Sequence, residues 1–209
     1  KQMEALAQAM APGRKTVFFG GAGVSTESGI PDFRSTDGLY NQKYDFPPEE
    51  ILSHSFFCDN TEYFYNFYRD KMLALHAKPN AAHYKLAELE SAGKLIAVVT
   101  QNIDGLHQAA GTHNVLELHG SVHRNYCTSC GKPYSAEFIK NSSGVPHCDC
   151  GGVIKPDVVL YEEGLDDDTV KAALLAIGKA DCMIVAGTSL NVYPAAGFIK
   201  YFGLSLIHI

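Results

Sequence analysis

The chain has 209 residues, of which 46% are hydrophobic and 19% charged, and its mean hydropathy is −0.07. This composition is typical of a globular protein and excludes a disordered, collagen-like or mucin-like chain. The net charge of −6, with no basic block to offset it, argues against electrostatic binding to nucleic acid or anionic lipid. The longest apolar runs are strand-sized and residues 1–20 lack a secretory signal, so we predict a cytoplasmic protein with no membrane partner.

Short apolar strands alternate with helical segments along most of the chain. Strands are predicted at 16–19, 95–99, 115–118, 158–161 and 182–186, and helices at 1–11, 63–75, 80–92 and 168–179. This alternation is typical of an α/β fold in which helices cover both faces of a parallel sheet. The stretch 121–152 interrupts the pattern, and we interpret it as a small module inserted into the α/β body.

A glycine-rich loop, Gly20-Gly21-Ala22-Gly23, directly follows the first predicted strand. Glycines at this place let the backbone approach a pyrophosphate, with helix amides facing the anion. A plain turn between strand and helix is the alternative. The next glycine is Gly29, and no acid follows a second strand about 20 residues on, so the standard dinucleotide fingerprint is absent. The pattern therefore disfavours a nicotinamide-dependent dehydrogenase.

The segment Gly29–Arg34 places an acid, an aromatic ring and a guanidinium at Asp32, Phe33 and Arg34, and Pro31 stiffens it. Arginine can bind phosphate through two parallel hydrogen bonds. Phenylalanine can cover a flat ring or shield a cationic intermediate from water. A loop with a local Asp–Arg pair is the alternative.

Three further motifs place polar side chains just past predicted strands: Thr100–His107, Leu118-His119-Gly120 and Gly187–Leu190. The carboxyl ends of parallel strands are where such sheets bind ligands. His119 is a candidate base, because histidine titrates near neutral pH. Helix capping, ordinary turns and a surface histidine are the alternatives for these motifs.

Four of the six cysteines fall within 24 positions, as Cys127, Cys130, Cys148 and Cys150. Two close pairs of thiols at this separation predict a tetrahedral zinc site. Four protein ligands leave no position for water, so the metal should be structural. Free thiols or a disulfide pair are the alternatives. We expect the other two cysteines, Cys58 and Cys182, to be small buried hydrophobic residues.

Together these motifs resemble the sirtuin family of NAD-dependent protein lysine deacylases, in its bacterial type. The resemblance is carried by the four cysteines and by the segments 21–25, 29–34, 100–107, 118–120, 155–159 and 187–190. It implies a Rossmann-like parallel sheet with helices on both faces, built from residues 1–36, 78–120 and 154–209. It also implies an inserted small domain, with a helical module at 37–77 and a zinc ribbon at 121–153.

The resemblance further implies that NAD is consumed and that the partners are acyl-lysine proteins or peptides. In the family's reaction the acyl oxygen attacks the nicotinamide ribose, nicotinamide leaves, and His119 would act as general base on a ribose hydroxyl. Deacylated lysine and O-acyl-ADP-ribose are the products. By motif position the NAD contacts would be Ala22, Gly23, Thr26, Phe33, Arg34, Gln101, Thr188 and Ser189, with Asn102, Ile103 and Asp104 lining the nicotinamide pocket, and Val158, Val159 and Tyr161 would meet the peptide.

The acyl group can also be argued from the resemblance. Family members that prefer succinyl or malonyl lysine carry a Tyr-x-x-Arg pair in the helical module. Here Tyr65 is followed by Tyr68 at the arginine position, and Arg69 comes one residue late, about 100° around a helix. We therefore predict a preference for acetyl or other uncharged acyl groups.

The carboxyl-terminal tail departs from the family pattern. Residues 203–209 match poorly, and the family continues for several tens of residues that include a strand and an adenosine-binding loop. We therefore expect a truncated chain without that edge strand. Two main alternatives to a deacylase stay open: an ADP-ribosyltransferase, and a non-catalytic module that binds NAD or ADP-ribose. A zinc-dependent nucleic-acid binder is a more distant alternative, because the net charge is −6.

Overall fold

The computed structural model describes residues 4, 6–7, 10–33, 38, 44–203 and the backbone of 205–208. It contains a five-stranded parallel sheet and a three-stranded antiparallel sheet. The predicted α/β class is therefore confirmed. Most of the helix predicted at 1–11 lies outside the described residues.

The elements are as follows in chain order. The strands are β1 (Thr16–Gly20), β2 (Leu95–Thr100), β3 (Val115–Glu117), β4 (Gly120–Cys127), β5 (Pro133–Tyr134), β6 (Ile154–Val158), β7 (Cys182–Ala186) and β8 (Ser205–His208). The α-helices are α1 (Pro48–Ile51), α2 (His54–Asp59), α3 (Thr61–Phe67), α4 (Ala81–Ser91), α5 (Leu106–Ala109), α6 (Ala136–Asn141) and α7 (Asp167–Lys179). Short 3-10 helices span Ala22–Ser28 and Ala195–Tyr201, and a π-helical turn spans Tyr68–Met72.

The parallel sheet has the strand order β3-β2-β1-β7-β8, with β1 buried at its centre. Val17 and Phe19 of β1 pack on one face in a core that includes Ile177 of α7. Phe18 packs on the opposite face with Leu86 of α4. Burial on both faces explains why these strands are continuous apolar runs in the sequence.

The edge strand β8 pairs in parallel with β7 over four residues. The expectation that the tail lacks an edge strand is therefore wrong. A strand forms there although the residues match the family pattern poorly, because main-chain hydrogen bonds to β7 do not depend on side-chain identity.

The second sheet, with the order β5-β4-β6, forms one core with the helical segment 48–72. Phe57, Phe64 and Tyr68 are buried in an aromatic cluster, and Phe64 stacks on Tyr68. The Tyr65 hydroxyl donates a hydrogen bond to the carbonyl oxygen of Ile154 at the start of β6. The helical module and the cysteine-bearing ribbon therefore stabilise each other.

Residues 118–120 join the two sheets. Leu118 N donates to the carbonyl oxygen of Thr100 at the end of β2, over 2.9 Å. Val159 N donates to the carbonyl oxygen of His119, over 3.0 Å. Gly120 turns the chain into β4 with a φ of +76°. We call residues 118–120 the seam.

Three predictions need correction. The predicted strand 158–161 is wrong: the strand ends at Val158 and belongs to the antiparallel sheet, whereas 159–161 continue as an extended connection. The helix predicted at 63–75 spans Thr61–Phe67 and continues as the π-helical turn. Cys58 is exposed, because the neighbouring residues Phe56 and Phe57 occupy the inner face of α2, while Cys182 is buried as expected.

The predicted domain ranges stay a prediction, although β6 extends the ribbon sheet beyond 153.

The seam generates a stability prediction. A Cβ at position 120 would overlap the carbonyl oxygen of Asp157, whereas a Cβ at Gly93, with a similar φ of +72°, meets nothing within 4 Å. We expect Gly93→Ala to lower the free energy of unfolding by about 1–2 kcal/mol, the cost of left-handed backbone. Gly120→Ala should lower it by at least about 3 kcal/mol, because overpacking adds to that strain. Urea unfolding of both variants measures the difference, and equal losses would contradict the proposed close approach.

Candidate active site

A cleft of about 310 Å³ lies between the carboxyl ends of the parallel strands and the smaller module. All predicted NAD, catalytic and peptide residues except Thr26 and Arg34 line it: Ala22, Gly23, Phe33, Gln101, Asn102, Ile103, Asp104, His119, Val158, Val159, Tyr161, Thr188 and Ser189. Strand ends bring these residues together although they are up to 167 positions apart in the sequence, from 22 to 189.

Two predicted contacts fall outside this lining. The Thr26 hydroxyl donates to the carbonyl oxygen of Gly23 over 3.0 Å, within the 3-10 helix that follows the glycine loop. Arg34 lies outside the described residues.

The glycine loop packs directly against the loop that follows β7. Gly23 N donates to the carbonyl oxygen of Gly187 over 2.8 Å. A Cβ on Gly23 would lie 2.8 Å from the Cα of Gly187, and a Cβ on Gly187 would overlap the backbone nitrogen of Val24. Glycine is therefore required on both sides, and the resulting backbone cradle suits a pyrophosphate.

Asn80 holds the glycine-loop helix against α4. Its side-chain amide donates to the carbonyl oxygen of Val24 over 2.8 Å and to the Ser28 hydroxyl over 3.0 Å. Its side-chain oxygen accepts from Ala82 N over 2.9 Å and so caps α4. One asparagine therefore caps α4 and holds the 3-10 helix of the glycine loop beside it.

A polar network lies behind the predicted nicotinamide pocket. Ser25 donates its hydroxyl proton to Asp104 Oδ2 over 2.6 Å, and the Asn102 amide donates to Ser25 Oγ over 3.2 Å. Asp104 Oδ1 accepts from Leu106 N over 2.9 Å. The Thr188 hydroxyl donates a hydrogen bond to Gln101 Oε1 over 2.8 Å, and this bond links the ends of β2 and β7. These bonds orient amide and carboxylate groups at the cleft, where they can recognise a carboxamide and ribose hydroxyls.

His119 is oriented by one backbone contact. Its Nδ1 lies 3.0 Å from the carbonyl oxygen of Gln101. Because a carbonyl oxygen only accepts, Nδ1 carries the proton and Nε2 holds the basic lone pair. Burial lowers the pKa of His119 and outweighs the opposing effect of the Gln101 contact. The imidazole is therefore neutral at pH 7 and able to accept a proton.

Several lining residues were missed by the sequence analysis. Met72 and Leu75 reach the cleft from the helical module, and Val192 and Tyr193 reach it from the segment after β7. His123 also lines it, and its Nε2 lies 3.0 Å from the carbonyl oxygen of Asp104. The spacing of apolar residues in 63–75 predicted one apolar helix face. It did not predict the π-helical turn, which changes the direction of the side chains at the end of this segment.

The four predicted cysteines form a cluster whose Sγ atoms all lie within 4.8 Å of one another. The Sγ atoms of Cys127 and Cys150 are 3.4 Å apart, and those of Cys130 and Cys148 are 3.6 Å apart. A tetrahedral zinc with Zn–S bonds of about 2.3 Å requires sulfur atoms about 3.8 Å apart. The pKa of Cys148 is lowered to about 6, mainly by a hydrogen bond from the Cys150 backbone N–H. The cluster therefore fits a structural zinc ion.

The Sir2 family profile matches residues 21–194. The chain belongs to the Sir2 family. A relative from Clostridium acetobutylicum, named NAD-dependent protein deacetylase, is 61% identical over 201 residues, which are 94% of this chain and 82% of the relative. A relative of the same name from Clostridium perfringens is 62% identical over 189 residues, which are 89% of this chain and 78% of the relative.

Solved structures of Sir2 proteins agree with this fold. One, with a deacetylated p53 peptide and 3'-O-acetyl ADP-ribose, superposes with a TM-score of 0.92 at 42% identity, covering 100% of this chain and 86% of the other. Another, bound to a propionylated peptide, gives a TM-score of 0.88 at 41% identity, with 100% and 86% covered. Among the described residues of this Sir2 chain, no helix is long and apolar enough to cross a membrane.

The cysteine cluster generates a prediction about metal. We expect one zinc ion per chain by elemental mass spectrometry. Cys148→Ser should lose it and lower the Tm by roughly 10 °C or more, because structural zinc contributes directly to folding. Cys58→Ser is the matched control, since Cys58 is exposed and lies outside the cluster. Full zinc content in Cys148→Ser, or a disulfide within the cluster of the purified protein, would contradict the zinc site.

Proposed function

We propose that this Sir2 chain removes acetyl and similar uncharged acyl groups from lysine side chains, with NAD consumed as co-substrate. One water molecule is also consumed, and the products are deacylated lysine, nicotinamide and O-acyl-ADP-ribose. One observation carries the proposal: a neutral histidine, His119, lies between a glycine cradle suited to pyrophosphate and an extended segment suited to a peptide. The sequence and structural relatives described above support it.

On the cofactor side, the backbone of Ala22 and Gly23, which forms part of the glycine cradle, would hold the pyrophosphate. Phe33, Gln101, Thr188 and Ser189 would contact the remainder of NAD, and Thr26 and Arg34 stay in this predicted set. Asn102, Ile103 and Asp104 would form the nicotinamide pocket. NAD itself supplies the electrophilic ribose carbon at which nicotinamide is displaced.

On the peptide side, Val158, Val159 and Tyr161 would form one edge for the substrate backbone. Val159 N and Tyr161 N already donate to His119 and Leu52 carbonyl oxygens, so this segment is held from its inner side. An incoming peptide would add beside this segment, partly as a short strand that uses backbone hydrogen bonds. The acyl-lysine would then extend into the cleft toward His119. The predicted cytoplasmic location stays a prediction.

His119 would act as general base. With Nδ1 bound to Gln101, Nε2 would accept the proton of a ribose hydroxyl, which then attacks the acyl carbon after nicotinamide has left. A charged imidazole cannot perform this step. The contact with a fixed main-chain oxygen selects the tautomer and the ring orientation together.

The base role generates a test with an acetyl-lysine peptide and NAD. His119→Ala should lower kcat/KM by about 10²–10⁴-fold, the usual contribution of a positioned base. His76→Ala is the control, because His76 is exposed and does not line the cleft. Mass spectrometry of nicotinamide and O-acetyl-ADP-ribose measures turnover. ADP-ribosylated protein beside intact acetyl-lysine would instead indicate ADP-ribosyl transfer, and no product from the wild-type chain would indicate a binding module.

The same residue sets the pH dependence. Because burial lowers the pKa of His119 below 6.5, the active neutral form dominates at pH 7 and is lost as the pH falls through the lowered pKa. The wild-type kcat/KM should therefore be highest on the alkaline side of the lowered pKa and fall tenfold per unit on its acid side. An acid limb centred above pH 6.5 would contradict this assignment.

Acyl preference can be tested on one peptide that carries either acetyl-lysine or succinyl-lysine. The Arg69 guanidinium donates to Ser142 Oγ over 3.1 Å and to the Gly144 carbonyl over 2.7 Å, so it is bound to the ribbon module. Tyr68 is fully buried, and neither residue lines the cleft. A desolvated succinyl carboxylate would lack an arginine partner, so kcat/KM should be at least about tenfold lower than for acetyl. Faster succinyl turnover would contradict the prediction.

A further inference from the structure

Glu163 lies at the end of the segment that would meet the peptide, and its carboxylate makes three close contacts. Its side chain is 21% exposed. Oε2 accepts from Leu160 N over 2.9 Å and from the Lys155 ammonium over 3.2 Å. Oε1 lies 2.8 Å from His54 Nδ1. One carboxylate therefore contacts the extended segment, strand β6 and the first residue of α2.

Residues 159–161 are held from both sides, because in an extended chain the Leu160 N–H points away from the side to which the Val159 and Tyr161 N–H groups point. Tyr161 N donates to the Leu52 carbonyl oxygen over 2.9 Å, and Tyr161 in turn accepts from His54 N over 3.0 Å. His54 therefore contacts the segment through its backbone and Glu163 through its side chain. Glu163 bonds both backbone groups of Leu160: its N–H donates to the Leu160 carbonyl oxygen over 3.1 Å, and its carboxylate accepts from Leu160 N.

The charges around this carboxylate favour its ionised form. Burial raises the pKa of Glu163, but the Leu160 N–H, His54 and Lys155 together lower it below the ordinary value. The neighbouring Glu162 carboxylate faces elsewhere: it accepts from the N–H and the hydroxyl of Ser55, both over 2.9 Å. Of the two adjacent acids, only Glu163 bonds back to the extended segment itself.

We propose that Glu163 is a positioning residue that holds 159–161 extended, ready to receive the substrate backbone. Strand addition is favourable when the accepting edge is already ordered, because binding then does not have to order it. Glu163 would act through Leu160 and Lys155 and would not touch the reacting atoms. The inference rests on the proposed function and adds a determinant of peptide affinity to it.

The kinetic test compares Glu163→Ala, Glu163→Gln and the control Glu137→Gln, an exposed residue on α6. Glu163→Ala should raise the KM for an acetyl-lysine peptide about 10–100-fold and change the KM for NAD less than about twofold. Glu163→Gln should be milder, because an amide oxygen can still accept from Leu160 N. An unchanged peptide KM, or equal rises in both KM values, would overturn the inference.

A second readout does not depend on turnover. Hydrogen exchange of the backbone amides in 158–162 should be at least about tenfold faster in Glu163→Ala than in the wild type. The two proteins should have the same Tm, which shows that the change is local. Exchange equal to the wild type would overturn the inference. Absence of nicotinamide release by the wild-type chain would overturn the proposed function, and the exchange result would still decide the role of Glu163.

Discussion

The backbone hydrogen bonds of the seam are the constraint on which the rest of the site depends. Leu118 is bonded to the end of β2, and His119 accepts from Val159 beside β6. The same histidine directs its ring nitrogen to the Gln101 carbonyl oxygen. Because Gly120 has no side chain, the Asp157 carbonyl oxygen of β6 can lie directly beside the point where the chain enters β4. One short segment thereby fixes both the distance between the modules and the orientation of the base.

Two different surfaces meet at the seam. The parallel sheet supplies glycine backbone and oriented amides, which suit a nucleotide. The antiparallel sheet supplies an extended segment, which suits a peptide. The cysteine cluster lies in this second module, whose core it shares through Cys127 and Cys148. We therefore expect the cluster to stabilise the module that would receive the peptide, whereas His119 is the proposed base.

The sequence predicted the features that have local causes. Buried strands such as Thr16–Gly20 appear as apolar runs, and glycines at positions 21 and 23 mark a close approach of two loops. The spacing of the cysteines is a chemical requirement, so it could be identified without knowledge of the fold. His119 was singled out by its place after a strand and before a glycine.

Features that depend on pairing between distant segments could not be predicted in the same way. The run 158–161 has the composition of a strand, but hydrogen bonds of 154–158 to β4 decide where the strand lies and which sheet it joins. Met72 lines the cleft because the π-helical turn shifts the helical face, and periodicity contains no signal for such a turn. Cys58 shows a similar limit, because its exposure depends on which face of α2 packs against the core, and that face contains Phe56 and Phe57.

The protonation state of His119 is the most direct test of the central claim that the seam holds a neutral, oriented base. Nitrogen-15 NMR of the histidine side chains, with the His119 resonances assigned by comparison with His119→Gln, measures it at pH 7. We predict a neutral ring with the proton on Nδ1 and a free lone pair on Nε2. A charged ring, or a neutral ring with its proton on Nε2, would contradict the claim.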